Sequence, residues 1–309
     1  MTLAATAPPN KLRVTPIKTE LSVRPGETVE EEIILQNQGP GAFRVGVSVQ
    51  DYVTTADGSY VFAKGTGNAS EDSFSCARWI QTGETTLTLV PGSIVRYPVK
   101  VVVPRNAEPG GKNAAVIFTM LGPQSGDAGV GISGRIASQY LVTVSGKELR
   151  EEARVGDLSI TKPLMSRSVA SQIPFTNGGN VHLNVAQEIR YTNVFGQVVG
   201  AYAQPAVTVL PVSDRVLSGE WTAPYLGWFQ ARAVVRYGSD QSHPNRVYSP
   251  DPVSFWVLSP EALTIGIIAL AVVVAVVSVL WRMWVRRPER NAVSDGDELP
   301  IPRPPLPPR

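Results

Sequence analysis

The stretch Leu263 to Trp281, LTIGIIALAVVVAVVSVLW, carries no charged side chain. A helix rises about 1.5 Å per residue, so this run comes close to the ~30 Å hydrocarbon thickness of a bilayer. Glu261 precedes it, and Arg282, Arg286, Arg287 and Arg290 follow it. Trp281 and Trp284 stand at the arginine edge, where amphipathic indoles favour the headgroup layer. A helix buried inside a soluble protein can be as apolar, but it rarely ends in clustered arginines. The reading is therefore a membrane-spanning helix over 262–281. Arginine clusters are retained on the cytoplasmic side, which makes Arg282, Arg286, Arg287 and Arg290 the topology anchor. Residues 282–309 are then a cytoplasmic tail, basic first and proline-rich after, and everything before the span lies outside.

The opening sequence, MTLAATAPPNK, has neither the basic n-region nor the apolar h-region of an export signal. Two readings follow. Either translation begins upstream and Met1 is internal, or the protein is tail-anchored with its bulk in the cytoplasm. The arginines favour the first, with residues 1–11 a disordered N-terminus or signal remnant. The roughly 260 residues before the span suit two domains of ordinary size. Formal net charge is only +2, and no basic face interleaved with aromatics is present, so nucleic-acid binding has no support. Cys76 is the single cysteine, so no intrachain disulfide can form. For an exported protein this favours a bacterial surface, because small eukaryotic ectodomains commonly carry disulfides. Asn68-Ala69-Ser70 matches a glycosylation acceptor, a pattern too short to carry weight.

Ahead of the span the hydrophobic period is two. Val29, Glu31, Ile33 and Leu35 share one face; Phe43, Val45, Val47 and Val49 share another; Tyr97, Val99, Val101 and Val103 repeat the theme. Such alternation makes half-buried strands, since successive side chains point to opposite sides of a sheet. Pro25-Gly26, Asn37-Gln38-Gly39, Asp57-Gly58, Pro91-Gly92 and Pro109-Gly110-Gly111 read as the turns between them. Many short strands punctuated in this way predict all-β sandwiches, and no amphipathic helical run precedes the membrane. A second unit starts after the charged stretch Lys147 to Arg154. Its strand Val169 to Phe175 runs into Thr176-Asn177-Gly178-Gly179-Asn180, echoing the earlier strand that ends in Asn37-Gln38-Gly39. This predicts a duplicated sandwich. Later strands are expected over 185–191, 206–212, 229–237 and 253–257, with Val194 to Gln197 turning a hairpin.

No motif assembles a catalytic site. Gly129 to Gly134 spells GxGxxG, but a loop precedes it and Arg135 to Val144 alternates as a strand, whereas a dinucleotide fingerprint needs a strand before and a helix after. His182 and His243 have no partner at metal-ligand or triad spacing. His182 reads as a strand-edge residue, and Cys76 as a small buried hydrophobe beside Trp79. Asp51 and Asp57-Gly58 lack the register of a calcium loop, and no serine stands in a GxSxG elbow. The chain is accordingly read as no enzyme, with no cofactor, no metal and no small-molecule substrate. The tail ends in LPIPRPPLPPR, which favours polyproline II and fits an SH3-type ligand at Pro304 to Arg309, although a solvated disordered tail is the blander reading.

The string Leu87 to Pro104 (LTLVPGSIVRYPVKVVVP), then Ala107 to Phe118 (AEPGGKNAAVIF) and Val130 to Ser138 (VGISGRIAS), resembles the N-terminal domain of bacterial WxL-interacting-type cell-surface proteins. The resemblance covers about residues 12–146; the second unit matches by position and strand pattern. It implies an Ig-like peptidoglycan-binding domain, a second Ig-like domain, one C-terminal membrane span and a short basic tail. This chain departs from that pattern in its N-terminus and its proline-rich end. The resulting expectation is all-β: two tandem Ig-like β-sandwich domains, 12–146 and 154–258, then a single transmembrane helix and a disordered tail. The function expected is a non-catalytic membrane-anchored adaptor whose partners are the lipid bilayer and either cell-wall polymer or another surface protein. The alternative is a single-pass receptor or secretion-system component recruiting a cytoplasmic partner through its tail, and deleting Leu299 to Arg309 separates the two. Recognition is expected on the long, glycine-rich connection Gly122 to Gly134, with Gln124, Ser125, Gly126, Asp127 and Gly129 the candidate binding loop, because loops on a rigid sandwich are where binding usually sits.

Overall fold

The computed structural model describes residues 11–63, 73–121, 132–161, 166–239 and 245–285. Asn68, the candidate loop residues Gln124, Ser125, Gly126, Asp127 and Gly129, His243, the anchor residues Arg286, Arg287 and Arg290, and the proline-rich end lie outside them.

The first half of the chain supplies β1 (Leu12–Thr15), β2 (Lys18–Val23), β3 (Thr28–Asn37), β4 (Phe43–Thr54), β5 (Tyr60–Ala63), a 3-10 turn (Ala77–Trp79), β6 (Ile80–Thr82), β7 (Thr86–Leu89), β8 (Ile94–Val102), β9 (Gly110–Leu121) and β10 (Ile132–Val144). They form one sheet ordered β1-β3-β8-β6 and another ordered β2-β10-β9-β4, with β5 and β7 both pairing β4. Every pairing is antiparallel except β2 with β10. The period-two runs explain the arrangement. Ile33 and Leu35 of β3 and Tyr97, Val99 and Val101 of β8 face Val45 of β4, Phe118 of β9 and Tyr140 of β10 in a single buried cluster. Intervening residues such as Glu30, Glu32 and Lys100 point to solvent and pair across the strands, Lys100 to Glu30 at 3.0 Å. Each fully buried large side chain contributes about 1.5–3 kcal/mol of transfer free energy, so the alternation fixes the register.

The second half supplies β11 (Ala153–Val155), β12 (Ser159–Thr161), β13 (Ser168–Asn177), β14 (Leu183–Asn193), β15 (Val198–Val209), β16 (Ser213–Thr222), β17 (Leu226–Gly238), β18 (Arg246–Tyr248) and β19 (Val253–Leu258). Here β13 is the centre of one sheet, flanked by β11, β12 and β16, and β14 and β17 are the centre of the other, flanked by β15, β18 and β19. Between them lies a separate buried cluster that includes Ile173, Phe175, Ile189, Tyr191, Phe229 and Phe255. Tyr191 stacks flat on Trp221 with ring centroids 4.2 Å apart.

The two halves are wired alike. In each, a central strand (β3, β13) turns into a strand of the opposite sheet (β4, β14), and a later strand beside it (β7, β15) leads back to one that pairs with the first (β8, β16). The Asn-x-Gly echo marks the same joint in both. Asn37 and Asn177 are completely buried. The Asn37 side-chain amide donates to the carbonyls of Gly41 and Leu89 and accepts the Gly39 N–H. Asn177 donates to Val181, Val209 and Leu210 and accepts the Gly179 N–H. One side chain thus satisfies backbone groups that leave the ladder where the chain crosses between sheets.

Two local expectations are corrected. Pro109-Gly110-Gly111 is not a free turn: Gly110 and Gly111 open β9, and the Gly111 N–H donates to the Asn180 carbonyl at 2.6 Å. A Cβ on Gly110 would stand 2.8 Å from that carbonyl oxygen, at a φ of +136°. The glycines are there for close approach of another segment. The strand expected over 206–212 ends at Val209, because Asn177 draws off the carbonyls of Val209 and Leu210 and Val212 takes a φ of 49°. The hairpin at Val194 to Gln197 forms as read, with Asn193 Oδ1 accepting the N–H groups of Phe195 and Gln197.

A compact unit ends at Leu258, and the residues from Ser259 belong to a second one. Its helix α1 (Pro260–Val285) starts two residues before the expected span and ends four after it. Ser259 caps it, its hydroxyl accepting the Ala262 N–H at 3.1 Å. By length and composition α1 is able to cross a membrane, and Arg282 lies in its last turn.

Candidate functional site

The described part of the chain places three features on the first sheet pair and its border. The first is a cleft of about 450 Å³. The segment Ser73 to Trp79 forms one wall, held against β9 by backbone bonds: Asn113 N–H to Phe74 O at 2.8 Å and Cys76 N–H to Asn113 O at 3.2 Å. Cys76 inserts its side chain into the core as the anchor of this wall, in keeping with its reading as a small hydrophobe, and burial pushes its thiol pKa far up. Trp79 packs partly on the same core and lines the cleft.

Four charges line the cleft: Asp51 of β4, Arg78, Glu108 and Lys112 of β9. The Ser75 hydroxyl donates to the Asp51 carboxylate and receives the Ala77 N–H. Lys112 is buried, donates to the Ser73 carbonyl at 2.6 Å and lies 5.8 Å from the Phe74 ring centroid. Desolvation lowers its pKa, and the Glu108 carboxylate opposes that shift. Opposed charges, an aromatic wall and Asn106 make a cleft that can hold a polar ligand offering both donors and acceptors. Its lining contains no imidazole, and among the described residues no three His, Cys, Asp or Glu side chains gather to hold a metal.

The second feature is the border between the two sheet pairs. Leu210 packs on Tyr52, Ala115, Ile117 and Leu141. Lys18 donates to Thr208 at 3.1 Å and pairs with Glu20 at 2.6 Å. His182, expected at a strand edge, is buried here with Nε2 3.9 Å from Glu20. Burial lowers its pKa, Glu20 opposes the shift and Lys18 adds to it. The third feature is a sheet edge. Strand β10 pairs β9 along its length but meets β2 only from Gln139 to Val144. Among the described residues, Ile132 to Ser138 have no ladder partner on that other side. Of the sequence-stated site residues, only Arg282 falls within the described part, in α1. The cleft was missed because Asp51, Arg78 and Lys112 are far apart in sequence and share no spacing; the one hint was Trp79 beside Cys76.

No family model matches the chain, and no curated protein does. Among solved structures it is similar to the class 5 fimbriae chaperone CfaA, at 10% identity and a TM-score of 0.41, covering 79% of this chain and 100% of that one. It is also similar to the CsuC-CsuE chaperone-tip adhesion subunit complex of Acinetobacter baumannii, at 10% identity and a TM-score of 0.40, covering 81% and 99%. The CupB2 chaperone of Pseudomonas aeruginosa gives 8% identity and a TM-score of 0.39, covering 80% and 100%. Likeness at this level assigns neither an activity nor a partner to this chain.

Proposed function

We propose that the chain is a non-catalytic adaptor anchored in a cell membrane, with its β-rich part outside and its C-terminal tail in the cytoplasm. In this reading the two sandwiches are tandem Ig-like domains, α1 is the single span, and the first domain engages cell-wall polymer or another surface protein. The observation that carries the reading is the cleft between Ser73–Trp79 and β9, which offers opposed charges and an aromatic wall to a polar ligand. The two cores lie in one compact unit. The test is co-sedimentation of the full chain, in detergent, with purified peptidoglycan. Wild type should pellet with the polymer. Arg78→Ala and Glu108→Gln, both at exposed lining residues, should each weaken binding by about tenfold, the worth of one charge-assisted hydrogen bond. Equal pelleting of all three sinks the cleft as the site.

A second reading rests on the edge of β10. The stretch Ile132 to Ser138, which among the described residues has no ladder partner on the side away from β9, is able to accept an extended segment from a protein partner, whose main chain would complete the ladder. Wild type that ignores peptidoglycan but is protected from exchange at these amides by a surface protein favours it.

A further inference from the structure

Large exposed apolar side chains on a soluble sheet are ordinary when scattered and informative when gathered. At one end of the second sheet pair they are gathered. Strand pairing sets Leu226 opposite Leu258 and Trp228 opposite Trp256. Their inward neighbours Phe229, Phe255 and Val257 are buried in the core, so these four side chains stand on the outer face. Leu226 is 60% exposed and Trp256 63%. The β14–β15 hairpin tip joins them, because Asn193, the last residue of β14, pairs with Phe229 near the start of β17. At that tip Val194 and Phe195 are exposed, Phe195 by 82%. Six apolar side chains from three separate segments therefore meet at one end of one sheet.

Further along the same face the chemistry changes. Gln230 pairs with Ser254, and two residues further along β17 Arg232 sits across from Arg190, both exposed. An apolar and tryptophan-rich end, followed by a polar row and then by charged side chains, Arg190 ion-paired to Glu188 at 2.7 Å, follows the order of environments met on leaving a bilayer, from acyl boundary through headgroups to water. The chain itself names the occupant. Leu258 is separated from Pro260, the first residue of α1, by Ser259 alone. Two residues of chain span at most about 7 Å, so the end of β19 is tethered within that distance of the first residue of α1.

We propose that this end of the second sheet pair seats in the lipid headgroup layer, with Phe195, Trp228 and Trp256 as interfacial anchors that fix the β-rich part on the membrane. The inference rests on α1 spanning the bilayer and adds a second contact to it. The experiment places single nitroxide labels in the full chain in phosphatidylcholine–phosphatidylglycerol vesicles. Cys76 is fully buried, so an introduced cysteine is the one that reacts. Labels go at Phe195→Cys on the hairpin tip, Trp256→Cys on β19, Val212→Cys at the opposite end of β15, and Leu270→Cys within α1. Collision with oxygen, which partitions into lipid, is compared with collision with a water-soluble nickel chelate. The proposal expects labels at 195 and 256 to lose nickel accessibility relative to 212 while staying shallower than 270. If 270 is shielded but 195 or 256 meets nickel as freely as 212, the seating is refuted and the span stands. If 270 itself meets nickel, the span fails and the seating with it.

Discussion

Removing the Asn177 side chain should be among the most damaging single changes outside the aromatic core. Its amide lies completely buried and donates to Val181 O at 2.8 Å, Leu210 O at 3.0 Å and Val209 O at 3.2 Å, while its oxygen accepts the Gly179 N–H at 3.0 Å. Two amide hydrogens serve the three carbonyls, so Asn177→Ala deletes about three net hydrogen bonds. At roughly 1 kcal/mol each, plus the cost of stranding buried carbonyls that water reaches poorly, the loss comes to about 3–4 kcal/mol. That is a large share of the 5–15 kcal/mol that holds a typical domain together. Asn177→Asp should be no milder, because it turns a carboxylate towards carbonyl oxygens. The assay is urea denaturation of the full chain in mild detergent, followed by the strand signal in circular dichroism. With a slope of about 2 kcal/mol per molar urea, the midpoint of the transition that includes the second sheet pair should fall by roughly 1.5–2 M. Asn37→Ala, with two donated bonds and one accepted, should act on the first sheet pair by a similar amount. A shift below about 0.3 M for Asn177→Ala would mean that the side chain does not organise the crossing, and the reasoning would fail.

Gly110→Ala should cost about 2 kcal/mol and speed amide exchange at Gly111, since the new methyl would meet the Asn180 carbonyl at a φ of +136°. The Cys76 thiol should stay unmodified by Ellman's reagent in the folded protein and react only in denaturant, because burial holds it protonated and out of reach. His182 has a folded pKa below its ordinary value of about 6.5, so the unfolded chain binds the extra proton first as pH falls. Stability should therefore drop as pH is lowered through about 6.5, and His182→Gln should flatten that slope; an unchanged slope counts against the buried border described above. Chelator treatment should leave the melting temperature unchanged, and a fall would point to an ion among the residues.

The sheets were legible in the sequence because burial on one face imposes a period of two, and β3, β4, β8, β10, β14, β17 and β19 all show it. The Asn37 and Asn177 echo was legible for a related reason: a buried crossing needs one side chain with both donors and an acceptor, and asparagine has them. Strand β16 escaped notice because Arg215 and Gly219 stand at inward-facing positions where a hydrophobe would mark the alternation, and its pairing partner β13 lies about 36 to 54 residues upstream. Gly110 and Gly111 were misread for a physical reason. A glycine required for close approach looks like a glycine required for a turn until the second segment, here Asn180 to His182, is in place. The cleft and the apolar end of the second sheet pair are assembled by register alone, so no local pattern announces them.

The proposed surface role depends first on which side of the membrane the β-rich part occupies. Protease added to intact cells carrying the full chain, with an epitope tag after Arg309, tests this directly. Residues before α1 should be degraded while a tagged fragment containing α1 and the tail survives inside. A fully protected β-rich part, with the tag removed from outside, would contradict the orientation and with it the adaptor reading.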